Sequence, residues 1–367
     1  MTSPAVHGDA VKLTSYFGER QRAEGRFAAD ALLDLYGRHQ VATSVLLRGA
    51  EGFGARRHPS TDMSLTLSED LPLAAVAVDS RTVIEPLVAR AAQLTTSGLV
   101  TLERARLLRG DVRPEDVEAG LTALAGEGVH EETKLTVYLG RQERVGRLPA
   151  FMAVCDLLSR HGVAGATALL GVDGTAHGER QRAAFFSRNA ETPMMLIAVG
   201  SGTTIGRVLP ELGRLLRRPL LTLERVRICK RDGQLLCPPS TLPGTDPSGL
   251  PLWHKLMVYT SEGTLHDGQP AHRAIVRGLR AAGISGATTL RGMWGFHGDH
   301  PPHGDRLLQL GRRVPALTVV IDSAERIAAA FTVIDRFTAQ AGLVTSETVP
   351  AIRLGADGLN PDDGGRA

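Results

Sequence analysis

Three glycine-rich segments hold the residue types best suited to gripping an anion. They are Arg48-Gly49-Ala-Glu-Gly52-Phe53-Gly54, Leu170-Gly171-Val-Asp-Gly174-Thr175-Ala and Arg291-Gly292-Met-Trp-Gly295-Phe296-His297. Glycines let backbone N–H groups turn inward and hold phosphate oxygens. The same glycines serve equally well as hinges that need positive φ. Neither dinucleotide-fold nor Walker spacing is present. Arginines crowd these regions: Arg48, Arg56 and Arg57, then Arg180 and Arg182, then Arg291 and Arg306. Further along come Arg104 and Arg106, and Arg225 and Arg227. Guanidinium forks suit phosphates, although arginines at such spacing also make an ordinary solvated face.

Another candidate is the cluster His297, His300 and His303, with Asp299 among them. Three imidazoles and a carboxylate are enough ligands for zinc or copper, and a polar loop is the alternative. Covalent chemistry has no comparable signal. There is no Gly-x-Ser-x-Gly elbow and no His-Glu-x-x-His, so the chain is not expected to be an enzyme. Cys155 falls on an apolar helical stripe and reads as core. With Cys229 and Cys237 it makes three cysteines, too few and too irregular for a disulfide framework.

The elements that must position these groups follow from a repeat. Lys12-Leu-Thr-Ser-Tyr-Phe-Gly recurs as Lys134-Leu-Thr-Val-Tyr-Leu-Gly and Lys255-Leu-Met-Val-Tyr-Thr-Ser, at intervals of about 120 residues. Three of the four tyrosines, Tyr16, Tyr138 and Tyr259, share this register. The glycine segments follow at matched spacing. After them come Pro72, Pro193 and Pro315, each opening an apolar run, then Thr101-Leu-Glu103, Thr222-Leu-Glu224 and Thr345-Ser-Glu347. Whole domains are therefore repeated, over residues 11–108, 133–230 and 253–354. Residues 109–132 and 231–252 read as linkers and 355–367 as a disordered tail.

Copy two predicts the pattern within a domain. Lys134 to Gly140 alternates like a strand. Leu148, Phe151, Cys155 and Leu158 lie at helical spacing. Ala166 to Leu170 is a strand, Gly171 to Thr192 a long polar connection, and Met194 to Val199 an apolar strand. Ile205, Val208, Leu209 and Leu212 make a second helix, and Leu221 to Ile228 a last strand. The order βαββαβ is the split-βαβ arrangement, an α+β, ferredoxin-like domain with two helices on one sheet face.

Composition narrows the function classes. Net charge is +3, with both signs interspersed, and aromatics make 4%. Nucleic-acid binding, which wants a basic face and stacking platforms, is not expected. No apolar run is long enough to span a membrane and no secretory signal opens the chain, so a cytoplasmic protein is expected.

Taken together, Lys-Leu-Thr-x-Tyr-x-Gly, Gly-Ala-Thr, Gly-Phe-Gly, the proline before an apolar strand and Thr-Leu-Glu resemble domain-of-unknown-function family 190. That family is similar to PII signalling proteins and to the CutA-like group. The resemblance implies three PII-type domains that close on one another as an intramolecular pseudo-trimer. It also implies an adenine nucleotide (ATP, ADP or AMP type) or another anion in clefts between copies. The implied ligand residues are Arg48, Gly49, Gly52, Phe53, Gly54, Arg104, Arg106, Gly171, Gly174, Arg225, Arg227, Arg291, Gly292, Gly295 and Phe296. The long loop between the second and third strands would contact a regulated protein partner. A CutA-like metal-binding module, using the histidines, is the other class. The clefts are expected to differ. Thr175 replaces the aromatic of Phe53 and Phe296, and copy three has Ser346, Thr348 and Val349 where the others have Leu, Arg and Ala or Val, so it lacks the strand arginine pair.

Overall fold

The computed structural model describes residues 8–54, 60–61, 70–109, 132–176, 179–182, 192–239, 245, 252–297, 302–304, 314–355 and 358–359. Copy one runs β1 (Gly8–Gly18), α1 (Ala28–Arg38), β2 (Thr43–Phe53), β3 (Pro72–Ser80), α2 (Arg81–Thr95) and β4 (Gly98–Arg109). Copy two runs β5 (Glu132–Gly140), α3 (Ala150–Arg160), β6 (Gly165–Ala176), β7 (Pro193–Ser201), α4 (Gly202–Leu215) and β8 (Leu220–Arg231). Copy three runs β9 (Leu252–Ser261), α5 (Ala271–Ala281), β10 (Ala287–His297), β11 (Pro315–Asp322), α6 (Ala324–Phe337) and β12 (Leu343–Gly355). Each copy also carries a two-stranded hairpin just before its first helix.

The helices form where the sequence offers a single apolar stripe. In α3 the buried residues are Ala150, Val154, Cys155, Leu157 and Leu158. Helix α4 starts at Ser201, whose side chain accepts the Thr204 N–H and so satisfies one open helix donor. Strands alternate by two. On β1, Leu13 and Phe17 face the helices of their own copy, while Ala10 belongs to a central cluster with Tyr16 packed against it.

Three separate ferredoxin-like domains packed as a pseudo-trimer are not what the chain builds. Among the described residues the strands join into one 17-stranded sheet, which contains a closed 10-strand antiparallel barrel, with six helices beside it. The reason lies at the strand edges. A strand edge left open carries unpaired N–H and C=O groups, and here each copy's edges are taken by its neighbours. Strand β2 pairs with β6 and β10, and β6 with β10. Strand β4 pairs with β8 and β12, and β8 with β12. The inner sheet faces share one core, with Val45 and Val76 of copy one beside Ile197 of copy two and Leu317 of copy three.

Aromatic side chains cross the boundaries too. Phe53 of copy one packs among Leu256, Ile275 and Val320 of copy three. Trp294 and Phe296 of copy three pack in the helix-side core of copy two. The second strands also continue through the glycine segments, so that β6 reaches Ala176 where the sequence predicts a loop from Gly171. Of the proposed tail, Gly358–Leu359 pairs back onto β12. The acidic linker segment 110–131 lies outside the described residues. No helix among the described residues is long and apolar enough to cross a membrane.

Candidate functional site

The repeat's landmark charges meet at the centre. Strand pairing sets Lys12 opposite Glu103, Lys134 opposite Glu224 and Lys255 opposite Glu347. All six residues are buried. Each ammonium contacts its own copy's carboxylate, at 3.4 Å for Lys12–Glu103, 2.6 Å for Lys134–Glu224 and 3.2 Å for Lys255–Glu347. Each also reaches a neighbour. Lys12 pairs with Glu224, Lys134 with Glu347 at 2.6 Å, and Lys255 with Glu103 at 3.0 Å. The result is a closed ring of alternating charge that ties all three copies together.

Electrostatics in the ring favours the ionised forms. Burial alone would raise the Glu103 and Glu347 carboxyls. Lys255, Lys12 and Lys134 hold Glu103 well below the usual range instead, and Lys134 and Lys255 hold Glu347 below it. Desolvation likewise pushes Lys134 and Lys255 toward neutrality, yet the surrounding carboxylates keep both above the ordinary lysine value. Burial drives the Tyr16 phenol up to about 12, so it stays neutral beside the ring. The three carboxylates lie close enough for a shared cation, within 4.8 Å, but three ammonium groups already neutralise them. The ring is a structural clasp. A cavity of about 30 Å³ borders its lysines, enough for about two waters.

A larger cavity lies elsewhere, between copies one and three, at about 360 Å³. That falls within the roughly 300–1,000 Å³ of ordinary ligand pockets. Copy one contributes Tyr16 to Gly18 from β1, Gly52 to Gly54 from the end of β2, and Ser97 to Leu99 from the turn into β4. Copy three contributes Ser285 to Thr288, Val319, Ile321 and Arg353. Gly98 has φ of +139° and sits so close to the Tyr16 carbonyl that a Cβ would collide with it, which keeps this wall flat. Arg353 carries the cleft's guanidinium. It stacks on Trp253 at 4.6 Å and lies 3.5 Å from Asp322. Gln21 donates to the Ser97 carbonyl at 2.7 Å and closes one side.

Of the residues singled out in the sequence, Gly52, Phe53 and Gly54 line this cleft. The other glycines serve close backbone approaches, between copies at Gly174 and Gly295 and against the proline of their own copy at Gly49, Gly171 and Gly292. A Cβ on Gly174 would strike the Ser44 carbonyl, one on Gly295 the Ala166 carbonyl, and one on Gly171 the Pro193 carbonyl. Gly49 and Gly292 likewise lie against Pro72 and Pro315. None of these glycines needs positive φ. Phe296 is core packing in copy two. Arg48 pairs with Glu19 at 2.8 Å, Arg291 with Glu262 at 2.6 Å and Arg106 with Asp9 at 2.9 Å. Arg104 is exposed, and Arg225 and Arg227 are half-buried on β8. Arg180 and Arg182 fall on a short strand beside β6. Arg56, Arg57, Arg306, Asp299 and His300 lie outside the described residues. His297 is buried, with Nδ1 3.7 Å from Asp232, and His303 pairs back beside Gly295.

Sequence reasoning missed Arg353. Its counterparts are Arg109 and Arg231: pairing sets Arg353 opposite Leu99, Arg109 opposite Leu220 and Arg231 opposite Leu343. An arginine recurring just after each Thr-x-Glu landmark was the available signal. The profile of family DUF190, uncharacterized ACR, matches residues 10–107, 132–228 and 253–351. The chain belongs to this family. Three DUF190 copies thus stand in tandem, and together they supply the strands, the ring and the cleft. One curated relative is the UPF0166 protein of Aquifex aeolicus (strain VF5), 28% identical over 104 residues. The match covers 92% of that protein and 27% of this chain, so the relative is about the length of one DUF190 copy.

Proposed function

We propose that this chain is a PII-like regulatory protein, not an enzyme, that binds a small anionic ligand of adenine-nucleotide type. The observation that carries the reading is the cleft of about 360 Å³ between copies one and three, with Arg353 in its wall. Its apolar lining, Phe17, Pro72, Leu99, Val319 and Ile321, suits a flat base. The guanidinium and the adjacent glycine backbone suit a phosphate. Gly54, at the edge of this cleft, leads into the connection between the second and third strands of copy one. A bound ligand would therefore touch the start of the segment proposed to meet a partner protein in the cytoplasm.

Titration calorimetry with AMP, ADP and ATP tests this. Saturable binding is expected, and Arg353→Ala should weaken it tenfold or more, since a hydrogen bond to a charged group contributes about 1.5–3 kcal/mol. Binding should also raise stability by about 2.7 kcal/mol at a hundredfold excess over Kd. No heat from any of the three nucleotides would overturn the reading.

A further inference from the structure

The end of copy two brings two of the three cysteines together. Strand β8 ends at Arg231, turns at Asp232 and Gly233, and returns through Gln234–Leu235. Past that short strand, the N–H groups of Leu236 and Cys237 both donate to the Cys229 carbonyl, at 2.9 and 3.2 Å. The Cys237 Sγ lies 3.2 Å from the Ile228 carbonyl. Cys229 sits where the pairing of β8 with β12 shifts register between Ile228 and Lys230. This bulge turns its side chain into the core of copy three, among Leu256, Val258 and Val344. The Cys237 N–H bond to the Cys229 carbonyl and the Cys237 Sγ contact with Ile228 set the two cysteines side by side on adjacent backbones. A disulfide needs Cα atoms roughly 4.4–6.8 Å apart, and a direct backbone hydrogen bond between the two residues is the kind of contact that brings Cα atoms to about that separation.

We propose that Cys229 and Cys237 form a reversible oxidation site, closing to an intramolecular disulfide when the chain meets a hydroperoxide. The two thiols divide the work by exposure. Cys237 is half-exposed and takes the oxidant, whereas Cys229 is fully buried. Peroxide in solution does not reach Cys229, which has no exposed surface. In the first step the Cys237 sulfur displaces water from the peroxide O–O bond: thiol and hydrogen peroxide become sulfenic acid and water. In the second, the Cys229 sulfur attacks the sulfenic sulfur. The S–S bond forms, the S–O bond breaks, and the hydroxyl leaves as water with the Cys229 proton. Two electrons pass from the thiol pair to the peroxide. Cys155 takes no part, being fully buried in the core of copy two.

The bridge would fasten residue 237 to β8 beside the boundary with copy three. The tip of the same hairpin carries Arg231, the counterpart of Arg353, and Asp232, which lies beside His297 of copy three. Oxidation would thus fix the chain's passage from copy two into copy three.

The test is intact-mass and peptide analysis of the full chain after hydrogen peroxide. The expected product has lost the mass of two hydrogens and yields a peptide pair joined through Cys229 and Cys237, and dithiothreitol restores the starting mass. Cys237→Ser, at a half-exposed position, should abolish the loss, and Cys229→Ser should leave a Cys237 sulfenic acid that dimedone traps. Three results would overturn the proposal: no reaction at Cys237, overoxidation of Cys237 while Cys229 still alkylates after denaturation, or the same mass loss in Cys237→Ser.

Discussion

Replacing Lys134 by methionine tests whether the charge ring is a sealed clasp. Lys134 contacts Glu224 and Glu347 at 2.6 Å each and Glu103 at 3.5 Å. Once it is gone, Glu347 keeps Lys255, Glu224 keeps Lys12, and Glu103 keeps both. Two ammonium groups then face three buried carboxylates. Removing one partner of a buried ion pair costs about 3–5 kcal/mol, a large share of a typical total stability of roughly 5–15 kcal/mol. The excess carboxylate relieves part of this cost by taking up a proton. Desolvation, now opposed at Glu347 chiefly by Lys255, should raise its folded-state value above the unfolded one. A group raised in this way contributes stability below its unfolded value, near pH 4, and loses it as pH rises through the folded value. The gap between wild type and Lys134→Met should therefore be smallest near pH 5 and widen toward pH 8. The limiting slope for one proton is about 1.4 kcal/mol per pH unit. Urea unfolding followed by Trp294 and Trp253 fluorescence gives both numbers. Adding Glu347→Met should restore two and two and recover most of the loss, because well-packed apolar replacements of a whole buried pair are often neutral. A loss below about 1 kcal/mol, or one that does not change with pH, would refute the sealed-ring argument.

In the wild type the same ring should give a broad stability plateau. Glu103 and Glu347 are held low, so their contribution is present above the unfolded carboxylate range and fades as pH falls through their folded values. Lys134 and Lys255 are held high, so theirs is complete below about pH 10 and is lost at still more alkaline pH; urea midpoints from pH 3 to 11 would show it. Gly174→Ala and Gly295→Ala should each cost about 1–3 kcal/mol by forcing apart strands of different copies. Gly8→Ala, with open space around its Cβ, should stay within about 0.5 kcal/mol. Thermal melts that rank these three alike would contradict the close-approach reading. Phe53→Ala should cost about 3–5 kcal/mol, as for other buried aromatics. Because Phe53 fills the core of copy three, proteolysis should show that copy loosening, and protection of copy three would argue against the exchange.

How far the sequence discloses this arrangement depends on whether a contact is local. The helical stripe through Val154, Cys155 and Leu158 and the alternation from Lys134 to Gly140 are properties of neighbouring residues, and they find their elements close to the expected places. The partners of a strand edge are not local. Nothing between Gly165 and Ala176 says that the far half of β6 runs beside β2, some 130 residues earlier. Glycines there signal a loop on propensity alone, although their task is to let backbones pass within a Cβ's width. The arginines misled for a related reason. Arg48, Arg106 and Arg291 look like a phosphate grip in sequence, but each has an acid beside it in space.

Lysine and glutamate in the landmarks held more information than their use as markers of repetition. A strand buried on both faces has no ordinary place for a charge. Yet Lys12, Lys134 and Lys255 each interrupt an apolar alternation, and one glutamate follows each at matched spacing. Three lysines that must be buried and three glutamates that must be buried can be accommodated together if they meet one another. A single copy offers one pair, and the neighbouring carboxylate that completes each lysine's surroundings comes from another copy. Repetition of a buried charge is therefore an argument for a shared centre, and it predicts the cross-copy sheet more directly than any motif in the glycine segments.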